Sequence, residues 1–288
     1  MMFKLARLLV LALLLPVAGL QVWRWRDARL ADAAWARLAA GAYSLEGTFD
    51  PSMAAGLPEP AQRFFRFAIV PGTPLRPVAE IEMGGELSLG TKEVPGYQPM
   101  RARQILAAPR GLVWELSAGT GVMRVGGSDG LEGDRSWTRF WLLGLIPIVR
   151  EGGSHDHLRA AFGRAAAEAA FWTPAALLPQ AGATWEAVDA DTARATLRRR
   201  DLAQTIDIRV DAEGRPLWVS IPRWTNANPD REFRLQPFGG TLSDFREVGG
   251  YRVPFRVDGG NFFGTEDYFP FYRAEVEAIR FLAPGSER

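Results

Sequence analysis

Residues 126–130 (GGSDG) match the G-x-S-x-G pattern that surrounds the nucleophilic serine of many hydrolases, with Ser128 at the centre. Such a serine needs a strand before it, a helix after it, and histidine and acidic partners far along the chain. A strand-like segment precedes Ser128, but Gly133 and an aromatic run at 137–141 follow it, and the histidines come fewer than 30 residues later. A β-turn is therefore the favoured interpretation, and a serine-type hydrolase that uses Ser128 is an alternative function.

The chain has 2 histidines, His155 and His157, with Asp156 between them. Imidazole is the side chain best suited to proton transfer near neutral pH, so a mechanism would use one of them or a carboxylate of shifted pKa. On a strand, residues two apart face the same side, as a pair of metal ligands requires. The preceding glycines and Ser154 instead predict the start of a helix, and no third ligand follows from the spacing. His155 and His157 are thus candidate metal ligands, but the start of a helix is the favoured interpretation, and we predict no metal and no cofactor.

The composition excludes several classes of function. Of the 288 residues, 34 are basic and 33 are acidic, a net charge of +1, so no overall field attracts nucleic acid. The basic run 198–200 lacks aromatic neighbours, which also argues against a nucleic-acid partner. The absence of cysteine removes thiol catalysis, disulfides and cysteine-bound metals. The sequence also contains no phosphate-binding loop. The lack of a complete catalytic motif favours a protein that is not an enzyme.

Two apolar segments stand out: residues 140–149 (FWLLGLIPIV) and residues 261–272 (NFFGTEDYFPFY). One interpretation places both in the core of a large sheet. The other makes them the wall of an apolar cavity, or a surface that contacts a membrane. On the second interpretation, the candidate ligand-binding residues are aromatic: Trp114, Phe140, Trp141, Trp172, Phe262, Phe263 and Tyr268.

At the N-terminus, the sequence predicts an apolar helix. Lys4 and Arg7 precede an apolar run over residues 8–20, and the uncharged stretch 8–23 contains 16 residues. As a helix this stretch would span about 24 Å, short of a bilayer core of about 30 Å, unless Trp23 and Trp25 extend it to the headgroups. A signal peptide cleaved near residues 17–19 and an uncleaved anchor both fit, and the apolar stretch favours an anchor because it continues past that cleavage point.

The chain divides into three predicted regions. Residues 1–25 form the signal-anchor or transmembrane helix, residues 26–56 a juxtamembrane helix and a linker, and residues 57–288 a single β-rich domain. A short basic start before an apolar run is the pattern of exported proteins, so we expect the body to lie outside the cytoplasm.

From residue 78 onward, apolar residues recur with a period of two in segments separated by turn residues, and these segments predict about eleven strands. Because most connections are short, sequential antiparallel pairing is expected. An alanine-rich helix over residues 158–171 interrupts the series. The predicted fold class is α+β: mainly β with helices, a large curved antiparallel sheet or half-open barrel that covers one or two helices.

Four segments resemble an uncharacterised bacterial family, a membrane-linked domain of unknown function. They are 57–65 (LPEPAQRFF), 168–178 (EAAFWTPAALL), 185–189 (WEAVD) and 245–254 (FREVGGYRVP), and the E-x-x-x-W-x-P stretch is the most specific. The resemblance extends over most of residues 57–282 and supplies no catalytic residues. It implies a shape similar to the half-barrels of periplasmic lipoprotein carriers. Glu168, one turn before Trp172, is expected to form a cap or to pair with an arginine of the sheet.

Taken together, these patterns predict a non-enzymatic, membrane-tethered protein of the bacterial cell envelope. The expected location is the inner membrane, crossed once by the N-terminal helix, with the body facing the periplasm. A lipid, a lipoprotein or another hydrophobic molecule is the expected ligand, held in the curved sheet. A scaffold that binds a protein partner, of unknown identity, is the remaining alternative.

Overall fold

The computed structural model describes residues 2–285, with side chains from residue 14 onward. Within this range, three α-helices accompany a single sheet: α1 (Met2–Ala40), α2 (Glu59–Ala68) and α3 (His155–Trp172). The strands are β1 (Ala79–Leu87), β2 (Gln98–Ala107), β3 (Gly111–Ala118), β4 (Val125–Glu132), β5 (Arg135–Leu142), β6 (Ile146–Gly152), β7 (Thr184–Ala187), β8 (Thr192–Arg199), β9 (Leu202–Val210), β10 (Pro216–Thr225), β11 (Arg234–Val248), β12 (Tyr251–Asn261) and β13 (Phe269–Phe281).

The 13 strands form one antiparallel sheet in the order β6-β5-β4-β3-β2-β1-β13-β12-β11-β10-β9-β8-β7. Two meanders, β1–β6 and β7–β13, therefore join where β1 pairs with β13. Strands β6 and β7 are the two edges, and α3 follows one and precedes the other. Flat, the sheet would separate these edges by about 58 Å, about twice the ~27 Å length of α3. Since α3 contacts strands of both halves, the sheet curves around it as an open half-barrel.

The face of the sheet that α3 covers, the inner face, holds the main core. Small residues of α3, among them Ala165, Ala166 and Ala169, are fully buried and let the helix approach the strands closely. Gly163 serves the same purpose, because a Cβ there would lie 2.8 Å from the side-chain oxygen of Gln204. Ser154 caps the helix by accepting a hydrogen bond from the backbone of His157 at 3.1 Å. The expected alanine-rich helix is confirmed.

The opposite, outer face carries a second apolar cluster, which the sequence did not predict. Ala31, Ala34, Trp35 and Leu38 of α1 are buried against sheet residues that include Val113. About one turn before Ala31 in α1, Asp27 anchors the helix to β5 and β6. Its carboxylate accepts hydrogen bonds from Arg150 at 2.6 and 3.0 Å and from Trp141 at 3.1 Å. The juxtamembrane helix predicted within residues 26–56 is thus the end of α1 and packs on the sheet.

Two sequence predictions about strands differ from the structure. Residues 126–130 lie inside β4 and form no turn. Their glycines face neighbouring strands: a Cβ on Gly127 would lie 2.0 Å from the carbonyl oxygen of Arg139, and one on Gly130 would overlap the ring of Trp137. The described part of the chain has 13 strands where about eleven were expected, and the apolar segment 140–149 is divided between β5 and β6.

No helix in the part of the chain whose side chains are described has the length and apolar character needed to cross a membrane. The predicted apolar run, residues 8–20, begins outside that part. The long apolar membrane helix in the predicted fold is therefore not found, whereas the α+β class and the large antiparallel sheet are confirmed.

Candidate functional site

A cavity of about 500 Å³ lies between α3 and the inner face of the sheet. This volume falls within the range of pockets that bind small ligands. Most of the wall is apolar and aromatic, and its aromatic members come from both meanders and from α3: Trp114, Phe140, Phe171, Trp172, Phe238 and Phe271. The curved sheet therefore encloses a space that its own side chains leave unfilled.

One face of α3 forms a side of the cavity. Arg164, Ala167, Glu168, Phe171 and Trp172 line it, and their spacing places them on successive turns of the helix. The remaining faces carry the buried alanines that pack on the strands. The helix thus meets the sheet closely on one side and leaves room on the other.

Exposed apolar side chains mark the mouth of the cavity. Leu89 is 77% exposed, Met123 60% and Ile148 44%, and all three also line the cavity. They belong to the loop after β1, the short turn before β4, and β6. Large exposed apolar residues that continue into an apolar cavity are typical of an entrance for a hydrophobic ligand.

A cluster of charged residues interrupts the apolar wall. Arg164 donates hydrogen bonds to Asp129 at 2.7 Å and to Glu168 at 2.7 Å, and a longer one to Gln104 at 3.3 Å. Gln104 in turn donates to the second oxygen of Glu168. Burial opposes the charge of Arg164, but Glu168 and Asp129 more than compensate, and the net effect raises the pKa of its guanidinium. The cluster is a closed network of ion pairs.

Tyr272 stands beside this cluster and lines the cavity. Its ring lies 6.1 Å from that of Trp114, and its hydroxyl donates to the sulfur of Met83 at 2.8 Å. Burial, assisted by the charge of Glu168, raises the pKa of Tyr272. The phenol is therefore neutral at physiological pH and contributes an apolar ring.

The structure brings together three of the seven aromatic candidates. Trp114, Phe140 and Trp172 line the cavity, with Trp114 and Phe140 in edge contact at 6.3 Å. Trp141 lies on the outer face, where it bonds Asp27 and meets Trp23 at 5.7 Å.

The other three candidates lie in the turn between β12 and β13, away from the cavity wall. Phe263 packs on Trp218 at 5.6 Å and on Tyr268 at 5.1 Å, while the Tyr268 hydroxyl donates to the carbonyl oxygen of Asp258 at 3.0 Å. Phe262 has a left-handed backbone, with φ of 59°. These residues shape the turn.

Ser128 and the histidines lie on opposite faces of the sheet. The buried Ser128 hydroxyl accepts a hydrogen bond from Trp137 of the outer cluster at 3.0 Å. His157, on α3, contacts the hydroxyls of Ser136 and Thr138 at 2.8 and 3.0 Å. Within a strand, with no helix after it, Ser128 lacks the setting of a nucleophile elbow.

His155 bonds the exposed Asp201 at 3.0 Å, so the two histidines have different partners. Among the residues that the structure describes, no three His, Cys, Asp or Glu side chains converge as a metal site would require.

Sequence reasoning missed most of the charged residues of the cavity. Glu168 pairs with Arg164 of its own helix, where an arginine of the sheet was expected. Asp129 was missed because it lies within residues 126–130, which were predicted to form a turn. Arg223 continues the inward register of Val219 and Ile221 on β10, and this break in the apolar alternation is the signal that could have revealed it.

The curved sheet, the crossing helix and the enclosed apolar space define an α+β protein with a half-barrel-like fold and an internal cavity. The chain belongs to the Family of unknown function (DUF6544), whose sequence profile matches residues 47–274. Comparison with curated proteins gives no match.

Two solved structures are similar to the chain. One is a LolA superfamily protein from Nitrosomonas europaea, with a TM-score of 0.36 and 11% identity over 71% of this chain and 84% of that one. The other, from Vibrio parahaemolyticus, is described as a domain of an outer membrane lipoprotein-sorting protein; its TM-score is 0.37, with 11% identity over 82% of this chain and 93% of that one.

Proposed function

We propose that this protein binds a lipid or another hydrophobic molecule in the cavity between α3 and the sheet, and that it does so without catalysis. The observation that carries the proposal is the apolar cavity of about 500 Å³, which opens between exposed apolar side chains. Close packing is the norm in protein interiors, so a space of this size lined by aromatic rings is best explained by a ligand. The charged cluster is internally paired and offers no free base or nucleophile.

The neutral fluorophore N-phenyl-1-naphthylamine tests this proposal. We expect its fluorescence to rise saturably on titration with the purified protein. Ala167→Phe projects a ring from α3 into the cavity and is expected to weaken binding by about tenfold or more, roughly 1.4 kcal/mol. Ala36→Phe is the matched control, because Ala36 is exposed on α1, and it should bind as the unchanged protein does. Equal binding by all three proteins would place the fluorophore elsewhere and refute the cavity as the site.

We also infer that the protein works at a membrane of the cell envelope, with residues 1–25 as its tether and its body facing the periplasm. Support comes from the apolar N-terminal run and from the turn between β5 and β6, which lies beside α1. Gln21 of α1 donates to the carbonyl oxygen of Gly144 at 2.9 Å. Next to this contact, Trp25 is 61% exposed and Ile146 53%. Exposed apolar side chains next to the apolar N-terminal run favour contact with lipid headgroups.

Flotation with phospholipid vesicles tests the membrane contact. We expect the unchanged chain to float with vesicles and Ile146→Asp combined with Trp25→Asp to lower the bound fraction, because two charges then lie where the tether meets the lipid headgroups. Leu217→Asp is the control, since Leu217 is exposed on β10 far along the sheet. A double variant that floats as well as this control would contradict the proposed orientation.

A further inference from the structure

Arg223 is a cation in the cavity wall with no ion-pair partner among residues 14–285. It lies on β10 in register with the buried Val219 and Ile221, and its guanidinium lies 4.6 Å from the centre of the Phe238 ring. Its Nε is buried and has no hydrogen-bond partner. Across residues 14–285, no side chain forms an ion pair with it, whereas Arg164, in the same wall, has Asp129, Glu168 and Gln104.

An unpaired guanidinium in such a place is unfavourable for folding. It has five N–H donors and keeps its proton, and withdrawing an ion from water costs several kcal/mol unless other groups compensate. Burial lowers the pKa of Arg223, and the neighbouring charge of Arg164 lowers it further, against the opposing effect of Asp129 and Glu168. Groups of this kind that persist in folded proteins call for a functional explanation.

A second donor in the same wall also lacks an acceptor. The indole Nε1 of Trp114 is buried and has no hydrogen-bond partner, although Trp114 lines the cavity. Both unsatisfied groups are donors, so the molecule that completes the site must bring acceptors. Its remaining surface must be apolar to match the aromatic wall.

We infer that the cavity binds a single-chain amphiphile with a carboxylate head, such as a long-chain fatty acid, with the carboxylate held by Arg223. This rests on the proposed function and assigns its ligand class. A carboxylate matches the paired donors of a guanidinium and forms the stronger, charge-assisted hydrogen bonds. The cluster of Arg164, Asp129 and Glu168 holds one positive and two negative charges, a net charge of −1. It therefore repels a doubly charged head more than a singly charged one.

Displacement of N-phenyl-1-naphthylamine tests the assignment with three ligands of one chain length: palmitate, its methyl ester and hexadecyl phosphate. We expect palmitate to bind about tenfold more tightly than the neutral ester, in line with hydrogen bonds to a charged group. Hexadecyl phosphate at pH 8 should bind more weakly than palmitate. Arg223→Met should reduce the preference for palmitate over the ester to about twofold or less, and Arg223→Lys should keep part of it.

The control is Arg198→Met, an exposed arginine on β8, which should keep the full preference for palmitate. Because Arg223→Met removes an unpaired ion, we also expect it to raise the Tm, which an arginine with a purely structural role would not do. Equal binding of palmitate and its ester by the unchanged protein, or an unaltered preference in Arg223→Met, would overturn the assignment and leave the proposed function standing. If no ligand displaces the fluorophore from the cavity, the proposed function itself fails.

Discussion

At the scale of single residues, the cavity contains two arginines in opposite situations. Arg164 is satisfied by Asp129, Glu168 and Gln104, which fixes α3 to β2 and β4. Arg223 has an aromatic ring beneath it and no acceptor. The first arrangement stabilises the fold, whereas in the proposed function the second would bind the head of the ligand.

Glu168→Gln tests whether the network around Arg164 stabilises the fold. The change preserves shape but removes one of the two charges that compensate the buried Arg164, so we expect the free energy of unfolding to fall by about 1–3 kcal/mol. Urea denaturation at constant m-value measures this loss. Glu186→Gln is the control, because Glu186 pairs with Arg194 at the exposed surface, at 3.5 Å, and should change stability by less than about 0.5 kcal/mol. Equal losses for both variants would contradict the network's role.

At the scale of elements, the sequence predicted what depends on local pattern. The period of two from residue 78 onward predicted strands, as Leu112, Trp114 and Leu116 in β3 show, and the turn residues between them include Gly249-Gly250, which joins β11 to β12. Capping by Ser154 and the spacing of alanines predicted α3 within three residues at its start. Turn signals, hydrophobic period and helix caps all act between neighbours in the chain, so they are legible without a structure.

Elements that depend on distant contacts were missed. The glycines of β4 resembled a turn because their purpose, space for Trp137 and for the backbone of β5, lies on the next strand. Trp141 was expected near the ligand, but its partner Asp27 lies 114 positions earlier in the chain. The burial of α1 on the outer face likewise depends on strands that come later in the chain. Local pattern carries no information about such pairings.

At the scale of the whole molecule, the order of strands explains the cavity. The chain must pass from β6 at one edge to β7 at the other, and α3 makes this passage along the inner face. A helix built largely of alanine on its packed faces lies close to β9 and β10. It contacts the strands of the other half of the sheet less closely, and the cavity lies between them and the helix. The connection from β6 to β7 through α3 therefore explains why the cavity lies between this helix and the sheet.

Mass spectrometry of the protein purified without detergent shows whether this interior holds a hydrophobic molecule. Under native conditions we expect a species heavier than the chain by the mass of one amphiphile. Organic extraction should release that molecule, and Ala167→Phe should carry much less of it. Unchanged protein that shows the mass of the bare chain, and that takes up no palmitate when incubated with it before the measurement, would contradict the account.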